Sequence, residues 1–474
     1  MSKLNRIIAR DIPDVFSREF GEGLLKQGNF VGLLEYYRKI DSAIPSPTDI
    51  EYRFAPSIIT RSECEVLGLP SPRFAIRTQG LDSIGFVNLR RIEITKKTLD
   101  APGKDDIAKM VSCCIADCLL IPPDQLDNDY HILKTNLWEV YGEKDNGKNA
   151  FPYVKYTQMG GGLCSQACCF MATALLHQYS QGIYAIPEIT MIALVTDFKP
   201  EFLSFHGLTI RQMQKFFRDP RVGLNAVDEV LLVADGVGDD LAKKRISFVI
   251  RSYILSGVPV FQIMDNSLLC RANYSEPGDD YTTPFNARHC LIINGVKKLD
   301  RDKFIVADPS TLFSHPFVER TIDEIWCSRI FVKKDKFLAF LPVLPVNMNV
   351  SLLPYQHHID SKENPLRNFS LIDDEIILNG VELDNCELRL VKLDTEHGIV
   401  TLEGADTSIL SQDNIKHKLE NWAVDNKDLC DKWFWILFQK NPENKQINQA
   451  SIYDTAIDFD PNEEGKLFID RIIF

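Results

Sequence analysis

The stretch Gln158-Met159-Gly160-Gly161-Gly162-Leu163-Cys164-Ser165, followed by Gln166-Ala167-Cys168-Cys169-Phe170-Met171-Ala172-Thr173-Ala174-Leu175-Leu176, decides how this chain is read. Three glycines precede a cysteine. After it, Cys168, Met171, Ala172, Leu175 and Leu176 recur at helical spacing. The pattern predicts a helix that starts at Cys164 or Ser165 and runs through Gln178. A thiol at a helix start lies beside unpaired backbone N–H groups and the positive end of the helix dipole, and both favour the thiolate. The glycines allow a substrate backbone to come close. Gln158, six positions upstream, supplies a side-chain amide that, with the Cys164 N–H, would hold the oxyanion of a tetrahedral intermediate.

Working outward from this segment, the next residues of chemical interest lie far downstream. His289 opens the apolar run His289-Cys290-Leu291-Ile292-Ile293-Asn294, and Asp308 closes Phe304-Ile305-Val306-Ala307-Asp308. Both runs predict strands, and the charged segment Lys297–Lys303 predicts the hairpin between them. Such a hairpin returns Asp308 to the level of His289, where the carboxylate would fix the tautomer of the imidazole. Cys164, His289, Asp308 and Gln158 thus form a candidate set of nucleophile, base, orienter and oxyanion donor. Cys168 and Cys169 are rival nucleophiles, but neither is at the helix start, and both read as core residues.

The segments GGGLCSQACCFMATALL, GLTIRQMQKFF, SGVPVFQIMD, RHCLIINGV and KFIVADPS, in this order, resemble the papain superfamily of cysteine peptidases. More narrowly, they are similar to the bacterial peptidase domains that process double-glycine leader peptides. The similarity runs from about Tyr153 to Val332. It implies a papain-like fold, a Cys164–His289–Asp308 triad and Gln158 as oxyanion donor. Relatives usually carry Gly directly after the nucleophile, whereas this chain has Ser165. Phytochelatin synthases share the same Cys-His-Asp order and pass the acyl group to an amine.

The remaining helices are expected at Asp14–Ile40, Asp105–Leu120, Thr209–Arg218, Asp240–Leu255 (stopped by Gly257) and Asn414–Ala423. Strands are expected within Phe74–Ile94 and at Val258–Met264, Glu375–Leu378, Glu387–Leu393, Ile399–Glu403 and Lys466–Phe474, and Trp433–Phe438 reads as a buried run. The Pro-rich Leu341–Pro354 reads as a crossover. A chain of 474 residues exceeds the size at which a single core stops growing. The expected division is an N-terminal mixed α/β domain (1–150), a papain-like peptidase domain (151–345) with helices before an antiparallel sheet, and a β-rich C-terminal domain (346–474). The fold class is α+β.

Composition narrows the function further. A hydrophobic content of 45% and a charged content of 25% are those of a globular chain in water. The net charge of -13 argues against nucleic-acid binding, which needs a cationic surface. No apolar run approaches the length of a membrane span and the N-terminus does not read as a secretory signal, so a cytoplasmic location is expected. Adjacent cysteines such as Cys113-Cys114 and Cys168-Cys169 suit a reducing compartment. Cys113, Cys114 and Cys118 lack metal-ligand spacing and read as packing residues. His177, His206, His315 and His357-His358 read as loop, surface or core residues, and Asp279-Asp280 as a surface loop. The expected activity is hydrolysis of a peptide or protein amide with no cofactor and no metal. Acyl transfer to an amine, glutamine deamidation and an inactive peptide-binding module stand as alternatives, and the oligomeric state is left open.

Overall fold

A computed structural model describes residues 51–54, 73–77, 83–97, 107–120, 122, 124–134, 154–157, 163–181, 189–190, 192–193, 207–227, 229–233, 239–265, 288–309, 317–328, 330–332, 335–345, 384–454 and 468–474. The expected helix Asp14–Ile40, the expected strand Glu375–Leu378, Gln158 and Gly160–Gly162 lie outside these residues, as do His206, Asp279-Asp280, His315 and His357-His358. The described chain is α+β, with every strand pairing antiparallel.

Strands β1 (Glu51–Phe54), β2 (Arg73–Arg77), β3 (Ser83–Lys97) and β4 (Ile107–Leu120) form consecutive neighbours of one sheet. The helix expected over Asp105–Leu120 is therefore corrected: this segment, with Cys113, Cys114 and Cys118, is strand β4. Its apolar residues fit a helix face, but β-branched Ile107, Val111 and Ile115 also suit a strand. Pairing from Ile107↔Lys97 to Leu120↔Gly85 gives the backbone a full-length partner. Helix α1 (Asp124–Asp129) leads into β5 (Tyr130–Ile132), which joins a different sheet by pairing with residues 295–297. The next strand, β6 (Val154–Tyr156), returns to the first sheet beside β4. The two sheets thus receive strands in alternation around residue 150.

The second sheet holds the candidate site. Helices α2 (Cys164–Leu175), α3 (Ile210–Arg218) and α4 (Asp239–Leu255) precede or interrupt its strands. These strands are β7 (Leu224–Ala226), β8 (Glu229–Val233), β9 (Val260–Asp265), β10 (Arg288–Lys297), β11 (Lys303–Ala307), β12 (Val318–Thr321), β13 (Ile330–Val332) and β14 (Asp335–Pro345). The path runs β12-β11-β10-β9-β14-β13, with β5 on β10 and both β7 and β8 on β14. A short helix α5 (Ile322–Cys327) follows β12 and starts in a capping box between Thr321 and Glu324. Among the described residues no helix is long and apolar enough to cross a membrane.

The expected crossover at Leu341–Pro354 is corrected in its first part, because Leu341–Pro345 ends strand β14. Pro342 is tolerated there because β14 changes partner around it. Pairing with β8 ends at Phe340↔Glu229 and pairing with β7 starts at Val343↔Ala226, so no ladder bond on that side needs the missing N–H.

Alternate residues of β10 feed two cores. Cys290 and Ile292 pack with Cys168, Met171 and Ala172 of α2, whereas Leu291 and Ile293 pack with Ile246, Val249 and Tyr253 of α4. The sheet therefore lies between the two helices. Helix α2 is buried at Ser165–Cys169 and Met171–Leu175, as its apolar composition requires. Gly257 ends α4 as expected. Its φ of 85° permits the bonds Gly257 N–H to Ile254 O (3.0 Å) and Val258 N–H to Tyr253 O (2.9 Å).

The third sheet consists of β15 (Cys386–Asp394), β16 (Gly398–Val400), β17 (Trp433–Lys440), β18 (Ile447–Asp454) and β19 (Phe468–Ile473), in the order β16-β15-β17-β18-β19. The expected strand Ile399–Glu403 is thus shorter and begins one residue earlier. Leu388, Leu390, Trp435 and Leu437 share the α4 core, while Val391, Phe434, Ile436 and Phe438 pack with Ile415, Leu419 and Trp422 of α6 (Asp413–Asp425). Helix α4 is consequently covered on both sides by sheet.

Candidate active site

Helix α2 places Cys164 as its first residue. Leu163, in the N-cap position, makes no side-chain capping bond, and the first turn carries no acidic residue. The helix start therefore keeps its positive field directed at the sulfur, with no carboxylate opposing it. Burial of the thiol favours the protonated form. The hydrogen bond from His289 and its charge outweigh this, helped by the backbone N–H groups of Cys290 and Ser165. The net effect holds the Cys164 thiol below the usual thiol range.

His289 stands near the head of β10, paired with Met264 of β9. Its Nε2 lies 2.7 Å from Oδ1 of Asp308, and both side chains are about one-tenth exposed. With Nε2 engaged by the carboxylate, Nδ1 is the ring nitrogen left for Cys164. Burial would depress the imidazole. The Asp308 charge and hydrogen bond, followed by the bond and charge of Cys164, raise it well above its ordinary value. The three side chains expected as nucleophile, base and orienter are thus brought together in one chain of contacts. Gln158 lies outside the described residues.

Asp308 follows the last residue of β11. The β10–β11 ladder ends at Ile292↔Ala307 and the β11–β12 ladder at Val306↔Val318. Beyond both ladders, its main-chain carbonyl accepts a hydrogen bond of 2.6 Å from the phenol of Tyr156. Tyr156 is fully buried and ends β6, two residues before Gln158 in sequence. Sequence reading missed this residue, because the pairing spans 152 positions and no local motif marks it.

Ser165 is buried. Its Oγ accepts from the Leu208 N–H at 2.5 Å and donates to Gln166 Oε1 at 3.0 Å. Leu208 directly precedes Thr209, which caps α3 in a capping box with Gln212. The serine thus ties the start of α2 to the entrance of α3. Its residue type, common near helix starts, was the available signal. Cys168 and Cys169 are fully buried, and burial pushes both thiols well above the usual range, which leaves neither suited to act as a nucleophile. His177 is half-buried beyond the end of α2, and burial lowers its imidazole.

No protein-family model matches the chain, and no curated protein matches it.

Proposed function

We propose that this chain is a papain-like cysteine hydrolase that cleaves a peptide or protein amide. One observation carries the reading: a single imidazole joins a thiol at a helix start to a buried carboxylate. That is the arrangement thiol acyl chemistry requires. Cys164, Cys168, Cys169, Cys290, Cys327, Cys386 and Cys430 are all free, which supports residence in a reducing compartment.

In the proposed reaction His289, protonated and held by Asp308, keeps Cys164 as thiolate. The sulfur attacks the amide carbon, and the carbonyl electron pair moves to oxygen. The Cys164 N–H and the Gln158 amide donate to that oxyanion. As the tetrahedral species collapses, the C–N bond breaks and the leaving amine takes the proton from His289 Nδ1. Water then attacks the thioester and gives its proton to the same nitrogen. Collapse expels the Cys164 thiolate, releases the carboxylic acid and restores the starting pair.

Exposed Cys327 supplies an internal reference for the test. Iodoacetamide at pH 7, followed by peptide mass mapping, is expected to label Cys164 faster than Cys327, with the advantage lost in His289→Ala. In parallel, peptides incubated with the full chain are expected to yield fragments that have gained water, with none from Cys164→Ala. Equal labelling of the two thiols in the unaltered chain, together with intact peptides, would overturn the reading. Products joined to an added amine, or glutamine converted to glutamate, would replace it with transfer or deamidation.

A further inference from the structure

We propose that Tyr156 is a positioning residue whose phenolic hydroxyl, by holding the main-chain carbonyl of Asp308, sets the carboxylate that orients His289. The inference rests on the hydrolase reading and adds to it a fifth residue. Asp308 lies past the last ladder pairs of β11 on both sides, and there the buried Tyr156 hydroxyl donates to its main-chain carbonyl at 2.6 Å. The strand that presents this hydroxyl, β6, belongs to the first sheet through β4 and leads directly into the segment that carries Gln158 and Cys164. One strand therefore contacts the base-orienting arm and precedes the nucleophile-bearing arm in sequence, and an error of about 1 Å in such an arrangement costs about 10²-fold in rate.

The test reads the thiol rather than substrate turnover. The rate of Cys164 alkylation by iodoacetamide is measured from pH 5 to pH 10 in the full chain, in Tyr156→Phe, in Asp308→Asn and in the double variant, with Cys327 as reference. Phe keeps the ring that fills the buried position and removes only the hydroxyl. The expected result is an upward shift of the Tyr156→Phe midpoint by about one pH unit, so that alkylation slows by up to about 10-fold on the acid side of the unaltered chain's midpoint. In the Asp308→Asn background the same replacement is expected to add less than it does alone, because the charge that the contact positions is gone.

A core role for the phenol would lower the melting temperature and leave the midpoint where it was. That result overturns the inference. Additive shifts in the double variant, or loss of the far-ultraviolet circular dichroism spectrum in Tyr156→Phe but not in Asp308→Asn, overturn it as well. Failure of the hydrolase reading looks different: the unaltered chain and His289→Ala would then share one midpoint in the ordinary thiol range.

Discussion

Nε2 of His289 and Oδ1 of Asp308 lie 2.7 Å apart across a hairpin that separates them by nineteen positions. The hairpin itself is a ladder from Ile292↔Ala307 to Val296↔Phe304, with an irregularity between Ile293 and Gly295. Its register decides whether the two side chains meet. The pair is buried, so the carboxylate acts in a medium where a charged acceptor is worth more than in water.

Replacing Asp308 separates charge from orientation. Asparagine can still accept from the Nε2–H and hold the ring, but it carries no charge. Alanine does neither. Hydrogen bonds to charged groups contribute about 1.5–3 kcal/mol, so Asp308→Ala is expected to lower Cys164 alkylation at pH 7 by about 10–150-fold. Asp308→Asn is expected to fall between Asp308→Ala and the unaltered chain. Equal rates for all three proteins would remove Asp308 from the proposed machinery.

The thiol and the imidazole shift in opposite directions, and this fixes the pH profile. Cys164 is held below the usual thiol range and His289 above the usual imidazole range. Between the two apparent values of the coupled pair, thiolate and imidazolium coexist. Activity on an amide is thus expected to be bell-shaped. It rises as Cys164 loses its proton and falls on the alkaline side as His289 loses the proton that the leaving amine needs. In His289→Ala the buried thiol loses its partner and returns upward, so alkylation at neutral pH slows and recovers only in alkali. A stopped-flow alkylation series checks this, and a profile unchanged by His289→Ala refutes it.

Ser165 acts through its side chain on one neighbour and through its main chain on another. Oγ receives the Leu208 N–H, while the Ser165 N–H contributes to lowering the thiol. Ser165→Ala removes the Oγ bonds to Leu208 and Gln166 but not the main-chain contact, and leaves a buried donor without its acceptor, at a cost of about 1–3 kcal/mol. The expected outcome is a lower urea midpoint with an unmoved alkylation midpoint. Ser165→Gly adds backbone freedom in the first helical turn. It is expected to be less stable than Ser165→Ala by up to about 1 kcal/mol. Faster turnover in either variant would mean that the serine restrains catalysis.

What the sequence made legible was local chemistry. The cysteine at the start of α2, the helix over Thr209–Arg218, the stop at Gly257 and the hairpin joining His289 to Asp308 all follow from residues close together in the chain. Segments whose state depends on a distant partner were not legible. Ile107–Leu120 has an apolar pattern that fits a helix face, and only β3 makes it a strand. Pro342 signals a crossover, and only the exchange of β8 for β7 along β14 lets it sit in a strand. Tyr156 carries no mark of its role, because its partner is the main chain of a residue in another sheet. The same holds for the core that α4 shares with β15 and β17, where Tyr253 and Trp435 meet edge to face at 5.6 Å.

That shared core has a charged border at Arg389. Its side chain is 2% exposed and pairs with Glu387 at 2.6 Å and Asp406 at 3.2 Å, while Lys440 also binds Glu387. The Asp406 N–H in turn donates to the last residue of α4, Leu255 O, at 2.8 Å, so the ion cluster adjoins the contact between the third sheet and the helix behind His289. Removing Arg389 leaves two carboxylates short of a partner; a fully buried pair broken in this way costs about 3–5 kcal/mol, and the cost here is smaller because both carboxylates are partly exposed and Glu387 keeps Lys440. Burial pushes Glu387 and Asp406 up, but their cationic partners win and hold both below their ordinary values. A carboxylate depressed in the folded state adds stability above its unfolded value, and that stability is lost as pH falls through the folded value. Arg389→Ala is therefore expected to lie furthest below the unaltered chain in urea midpoint at neutral pH. The gap should narrow on acidification below about pH 4, where the carboxylates of the unfolded chain already take up protons. Equilibrium urea titrations at pH 7 and pH 3.5 measure the two gaps. A gap of equal size at both values would assign the loss to packing of the arginine stem rather than to its charge.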